Sequence, residues 1–170
     1  MHYFFVDAET DGLYGEAIAI AAIVVNQEGV EVDVFCGKIQ GLTHETIKDE
    51  WTKENVLPLL GDDLTEFENG EMLLEAFWHF WIKYQQDALC IADVQYPVEA
   101  GIFRKCVEKS TKERIFLGPF PLLDLSTLLY VKGIDPLADR QILSGLKDTR
   151  RHHPLDDVRI SAEIWRKYNG

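Results

Sequence analysis

Positive charge is scarce in this sequence: 17 lysines and arginines stand against 29 aspartates and glutamates, a formal net charge of −12 at neutral pH. That balance has the wrong sign for a protein that holds nucleic acid by broad counterion release. Cysteine is scarce too. Cys36, Cys90 and Cys106 are scattered without metal-ligand spacing, which argues against a zinc module or a disulfide framework and for reduced core thiols. No stretch approaches the roughly 18 consecutive apolar residues of a membrane span, so no membrane role is expected. A basic flank and cleavage site of a secretory signal are missing, and a cytoplasmic location is the expectation. Repeats, low-complexity tracts and long linkers are also missing, and 46% hydrophobic content suffices for one core, so residues 1–170 read as a single domain.

What is present alternates in pattern. Apolar runs predict strands at His2–Val6, Ala17–Val25 and Val30–Ile39, the last two joined as an antiparallel hairpin by the Asn26-Gln27-Glu28-Gly29 turn. Thr43–Leu60 is polar and partly helical, broken by Pro58. Leu73, Phe77, Phe80, Trp81 and Tyr84 recur at helical spacing and predict an aromatic helix over 71–84 packed on the sheet, with His79 no ligand. A buried strand at 88–92, a helix at 97–107, a weak strand at 116–123, and helices from 125, over 136–146 and over 154–168 complete the pattern. Hairpin first and strand-helix alternation afterwards imply an α/β fold, a mixed sheet with helices on both faces.

The first strand ends in Phe4-Phe5-Val6-Asp7-Ala8-Glu9-Thr10-Asp11-Gly12-Leu13. Strand side chains alternate, so Asp7 and Glu9 share a face a few ångströms apart, and carboxylates that close repel unless a cation separates them. Near the other end stands Arg150-Arg151-His152-His153-Pro154-Leu155-Asp156-Asp157-Val158, with a histidine, an aspartate five residues later and a proline suited to a helix start.

Asp-x-Glu-Thr-x-Gly-Leu followed far downstream by His-x-x-x-x-Asp resembles the DEDDh branch of the proofreading-type 3′–5′ exonucleases. The resemblance spans nearly the whole chain, since Leu122-Leu123-Asp124-Leu125-Ser126-Thr127-Leu128-Leu129 is similar to the strand-to-helix segment between the family's later motifs. It implies an RNase H-like five-stranded sheet with the first strand central. It also implies two Mg²⁺ or Mn²⁺ ions on Asp7, Glu9, Asp157 and a third acid, with His152 as the base that takes a proton from water. Ala8, Thr10 and Leu13 would then contact the terminal nucleotide. His152 is preferred to His153, because the residue five after His153 is Val158.

Two residues compete for the third acid. Glu99 has the helix-start position and the following Ile102 and Phe103, whereas Asp93 has the usual chemistry at a strand end. Asp93 is preferred here, because a helix-start glutamate has a sufficient reason in the helix dipole. Among the basic residues, Lys147, Arg150 and Arg151 precede His152 and are placed to meet phosphates; Arg104, Lys105, Lys109, Lys112 and Arg114 read as a solvated helix face. The resemblance thus points to hydrolysis at 3′ ends of single-stranded RNA or DNA. RNA is slightly favoured, because Trp51-Thr52-Lys53-Glu54-Asn55-Val56-Leu57-Pro58 is similar to a segment of small bacterial exoribonucleases. Several such relatives work as dimers, and a homodimer is open. A non-catalytic strand-end or protein-binding module and a phosphodiesterase of short nucleotide esters are the alternatives, and the acidic balance suits both.

Overall fold

The computed structural model describes all of residues 1–170. Six strands form one sheet: β1 (His2–Thr10), β2 (Ala17–Val25), β3 (Glu31–Ile39), β4 (Thr65–Phe67), β5 (Ala88–Ala92) and β6 (Leu122–Asp124). Their order is β4-β3-β2-β1-β5-β6. β1, β2 and β3 pair antiparallel, while β4, β5 and β6 each run parallel to their neighbours. The helices are α1 (Glu50–Asn55), α2 (Gly70–Ile82), α3 (Val98–Glu108), α4 (Thr111–Arg114), α5 (Leu125–Val131), α6 (Arg140–Ser144) and α7 (Pro154–Tyr168). None is long and apolar enough to cross a membrane.

β2 is buried along its whole length, as its run of Ile, Val and Ala requires of a strand covered on both faces. Below it, Phe4, Val6, Ile20, Ala22 and Val24 pack on Leu73, Phe77, Phe80 and Trp81 of α2 and Ile102, Phe103 and Cys106 of α3. Phe4 meets Trp81 edge to face at 5.1 Å between ring centroids, the arrangement the ring quadrupoles favour. Above it, Phe5, Ala21, Ile23 and Ile91 pack on Leu125 and Leu129 of α5 and Val158, Ile164 and Trp165 of α7. Each fully buried side chain of this size contributes about 1.5–3 kcal/mol. The aromatic helix therefore packs on the sheet as expected, and His79 lies on its outer side bonded to Glu75. All three cysteines are free.

The sheet has a sixth strand where five were expected. β4 is three residues long and its only ladder is the parallel pairing with β3, a long-range contact with no local signal. Gly37 makes that pairing possible: a Cβ there would lie 2.5 Å from Phe67 Cε2 and 3.0 Å from Leu73 Cδ1. Other bounds also shift. β1 runs through both acids to Thr10 instead of stopping at Val6. The strand expected at 116–123 contracts to Leu122–Asp124. The helix expected over 136–146 contracts to Arg140–Ser144, capped by the Asp139 carboxylate at one end and ended by left-handed Gly145 at the other. Of 43–60, only α1 and a 3-10 turn at Leu57–Leu59 are helical.

Gly37→Ala should destabilise the protein by about 1–3 kcal/mol through overpacking against Phe67 and Leu73. Chemical denaturation checks this, and an unchanged midpoint would show that the β3–β4 edge yields freely.

Candidate active site

The site lies at the carboxyl end of β1, where the chain leaves the sheet. Asp7 and Glu9 project from one face, and their partners across the antiparallel ladder are Ala21 and Ala19. Directly opposed residues share a face with Cβ atoms roughly 4.5–5.5 Å apart. Two methyl groups therefore stand beside the two carboxylates, both fully buried, with Ala21 in the core beneath α5 and α7. Ala8 points to the other face, and its backbone N–H donates to Glu99 Oε1 at 3.3 Å. Glu99 itself is only 5% exposed, in the first turn of α3.

The turn after β1 is fastened to α1. The Asp11 carboxylate accepts from the backbone N–H groups of Lys48 and Asp49, and Asp49 caps α1 by accepting from Thr52 N. Buried Thr52 donates through Oγ1 to Thr10 O and accepts from Gly12 N. Gly12 takes a φ of 78°, and a Cβ there would sit 3.3 Å from Asp49. The result is to aim Trp51, half exposed, edge-on at the His152 ring, with centroids 5.0 Å apart and planes at 82°.

Asp157 comes from the first turn of α7, which Pro154 opens. His152 precedes that helix in a left-handed conformation, φ 57°. One ligand atom each from Glu9, His152 and Asp157 falls within 4.8 Å of the others. A cleft of about 510 Å³ holds these residues with Asp7, Ala8, Leu13, Asp93, Glu99 and Arg151 among its walls. Leu13, Thr10 and Trp51 line an adjoining hollow of about 380 Å³. The residues expected to hold metal, take the proton or contact the terminal nucleotide thus border one or other of these two hollows, which share Ala8, Glu9 and Leu13, whereas Lys147 and Arg150, expected to meet phosphates, border neither. Thr10 Oγ1, however, donates to Gly12 O within its own turn.

The two candidate third acids sit differently. Both Asp93 oxygens accept from Arg140 Nε, at 2.8 and 3.1 Å. No cation faces Glu99. Neither Arg150 nor Arg151 is free: Arg150 binds Asp63 and Asp156, and Arg151 binds Asp139 and Gln141. Every other arginine is also paired with a carboxylate. His153 is fully buried and faces Asp63, away from the cleft.

Burial and mutual repulsion drive the acids toward protonation when no cation is bound. Asp7 is held well above the usual carboxylate range by burial and then by Glu9, Asp157, Glu99 and Asp93. Glu9 is pushed up to about 8 by burial and then by Asp157 and Glu99. Glu99 reaches about 8, chiefly through burial. Asp157 reaches about 7, through burial and then Asp156. His152 is lowered, by burial and then by the Arg151 charge, which favours the neutral imidazole. Hard carboxylate oxygens in surplus, with no facing cation, are a donor set that fits a small divalent ion.

Arg140 and Gln141 were not singled out from the sequence, and Trp51 only as the first residue of the 51–58 segment. Only Trp51 carried a signal, as an aromatic residue at the start of a short capped helix.

No family model matches the chain, and no curated protein matches it in sequence. Its structure is similar to a full-length 3′-exonuclease, with a TM-score of 0.62 at 13% identity over 96% of this chain and 79% of that one. It is similar to the nuclease domain of 3′hExo, a DEDDh family member bound to rAMP, with a TM-score of 0.53 at 16% identity over 96% and 88%. A 3′-exonuclease that recognises the 3′ end of the histone mRNA stem-loop gives a TM-score of 0.50 at 14% identity over 96% and 79%. The fold is that of the DEDDh-type 3′–5′ exonucleases.

Raised carboxylate pKa values have a definite sign for stability. The contribution of Glu9, Glu99 and Asp157 is fully present below their ordinary values near 4 and is lost as pH rises through about 7 to 8. The melting temperature of the chelated protein should therefore fall between pH 5 and pH 8. Added Mn²⁺ or Mg²⁺ should restore it more at pH 8 than at pH 5, since bound metal replaces protons. A flat profile without metal would mean that the acids do not crowd one another.

Proposed function

We propose that this chain, folded as the DEDDh nucleases are, is a divalent-metal-dependent 3′–5′ exonuclease that hydrolyses the terminal phosphodiester bond of single-stranded nucleic acid. The observation that carries this reading is the meeting of Glu9, His152 and Asp157 within 4.8 Å, from strand, loop and helix, beside buried Asp7. Asp7, Glu9, Asp157 and Glu99 would hold the cations. Once bound, Mg²⁺ or Mn²⁺ would offset the negative charge that develops on the phosphoryl group.

Glu99 is the better third acid. Asp93 is engaged by Arg140, whereas Glu99 lies among the acids, raising the pKa of both Asp7 and Glu9, and is positioned by the Ala8 amide. His152 accepts the proton from the attacking water at a ring nitrogen, since its lowered pKa leaves that nitrogen free near neutrality. Asp157 and Glu9 stand beside it to stabilise the imidazolium that forms. Leu13 and Trp51 line the adjoining hollow together with Ala8, Glu9 and Thr10, and would offer an apolar slot for the terminal base.

RNA is placed slightly ahead of DNA, supported by the rAMP and mRNA described for two of the similar structures. The paired state of every arginine favours a second reading, a phosphodiesterase of short nucleotide esters, because few cations remain to follow a long backbone.

With 5′-labelled RNA and DNA of one sequence, the protein should shorten strands from the 3′ end in Mn²⁺ or Mg²⁺ and not in chelator. Asp7→Ala should abolish this, and His152→Ala should slow it on the order of 10²-fold or more, as expected for a general base. Intact strands with the unmodified protein would sink the exonuclease reading, and cleavage of nucleotide esters alone would support the second one. In the same assay Glu99→Gln should be nearly inactive while Asp93→Asn keeps most activity. The reverse order would return Asp93 to the metal.

A further inference from the structure

His152 is presented by a segment with neither helix nor strand, running from the end of α6 to Pro154. Two of its non-glycine residues, Asp148 at φ 60° and His152 at φ 57°, lie in the left-handed region. Side chains avoid that region unless surrounding contacts over-determine it. The contacts that do so come from three consecutive residues at the start of α6. Asp139 accepts from Gln141 N and Ile142 N, which caps the helix, and its other carboxylate oxygen pairs with the Arg151 guanidinium. Gln141 Oε1 accepts from Arg151 Nε at 2.9 Å, while its Nε2 donates to both the carbonyl and the hydroxyl of Thr149 at 3.1 Å.

Arg140 fastens this turn to the sheet. Its Nε donates to Asp93, and its terminal nitrogens donate to Ala138 O, Pro136 O and Ser126 Oγ. One residue before Arg151 the segment is gripped again, by Arg150 donating from its backbone and side chain to Asp156 and reaching Asp63. Arg151 is largely exposed, so one ion pair alone would hold little. A guanidinium held by both a capping carboxylate and a glutamine oxygen, with that glutamine also bound to Thr149, is geometrically fixed.

We propose that the first turn of α6 is a brace for His152, in which Asp139 and Gln141 hold Arg151 as a positioning residue that keeps the imidazole beside Glu9 and Asp157. Arg151 on this account is not a phosphate contact. The inference rests on the reading of His152 as the base. It goes beyond that reading by assigning residues that touch neither substrate nor metal.

The experiment compares Gln141→Leu and Arg151→Gln with the unmodified protein on a p-nitrophenyl ester of a nucleoside 5′-monophosphate and on a longer oligonucleotide. Both variants should lose about 10-fold in kcat on both substrates with KM unchanged, as expected when a reacting group is displaced by a fraction of an ångström to one ångström. The double variant should lose no more than either single one, because the two residues act as a unit. Gln141→Glu keeps an oxygen facing Arg151 and should retain kcat within about 3-fold, given the similar geometry. A rise in KM confined to the oligonucleotide, with Gln141→Leu silent, would make Arg151 a phosphate contact and overturn the brace. Amide hydrogen exchange over residues 145–153, read without substrate, separates this inference from the function. Faster exchange in Gln141→Leu supports the brace even if the unmodified protein cuts neither substrate, an outcome that would count against the exonuclease alone. Unchanged exchange overturns the brace whatever the activity.

Discussion

Like charge confined in a partly dry cleft is the constraint on which the rest of this molecule depends. Asp7, Glu9, Glu99 and Asp157 all border one depression, and no lysine or arginine faces Glu99 or the β1 pair. A protein seeking stability alone would place apolar residues there, since buried charge is costly unless compensated. The acids are held together because covalent and packing forces elsewhere overcome their repulsion. Asp7 and Glu9 are consecutive outward positions of a strand locked between β2 and β5, while Glu99 and Asp157 are fixed by the first turns of two helices packed on opposite faces of the sheet.

The surrounding chemistry follows from that confinement. Cations are kept at the rim and given other partners: Arg140 to Asp93, Arg151 to Asp139 and Gln141, Arg150 to Asp63 and Asp156. A guanidinium released into the cleft would neutralise the acids permanently and compete with any ion that comes and goes. The surplus of acid seen in the composition is therefore organised, with the arginines acting as internal ties and the cleft left rich in carboxyl groups that take up protons when no cation is bound. On the proposed function, substrate contact would rely on a bound ion and on apolar surfaces such as Leu13 and Trp51 rather than on a basic groove.

Much of this was legible in the order of residues, and the parts that were not share a reason. The hairpin, the aromatic helix and the last helix are written in local periodicity and spacing, and each forms where it was expected. β4 was invisible because three residues carry no period, and its pairing depends on Gly37 some thirty positions earlier. The bond between Asp93 and Arg140 joins residues 47 apart, so the sequence reading that preferred strand-end Asp93 to helix-start Glu99 could not take it into account. Arg151 looked free for the same reason. Its partners, Asp139 and Gln141, lie on a helix whose true start was hidden by a longer apolar pattern. Local order reveals elements and the spacing of acids and histidines; it does not reveal which charges are already satisfied.

Ala19 and Ala21, across the ladder from Glu9 and Asp7, carry no functional group and are fully buried. Their importance is volumetric. A larger side chain at either position would meet packed atoms: Ala21 lies in the core under α7, and a clash there would push that helix, with Asp157 on it, off the sheet, moving an acid of the site without changing one. The geometry of this site therefore depends also on a neighbouring strand, in residues whose contribution is their small size, and an inventory of chemically active groups would pass over them.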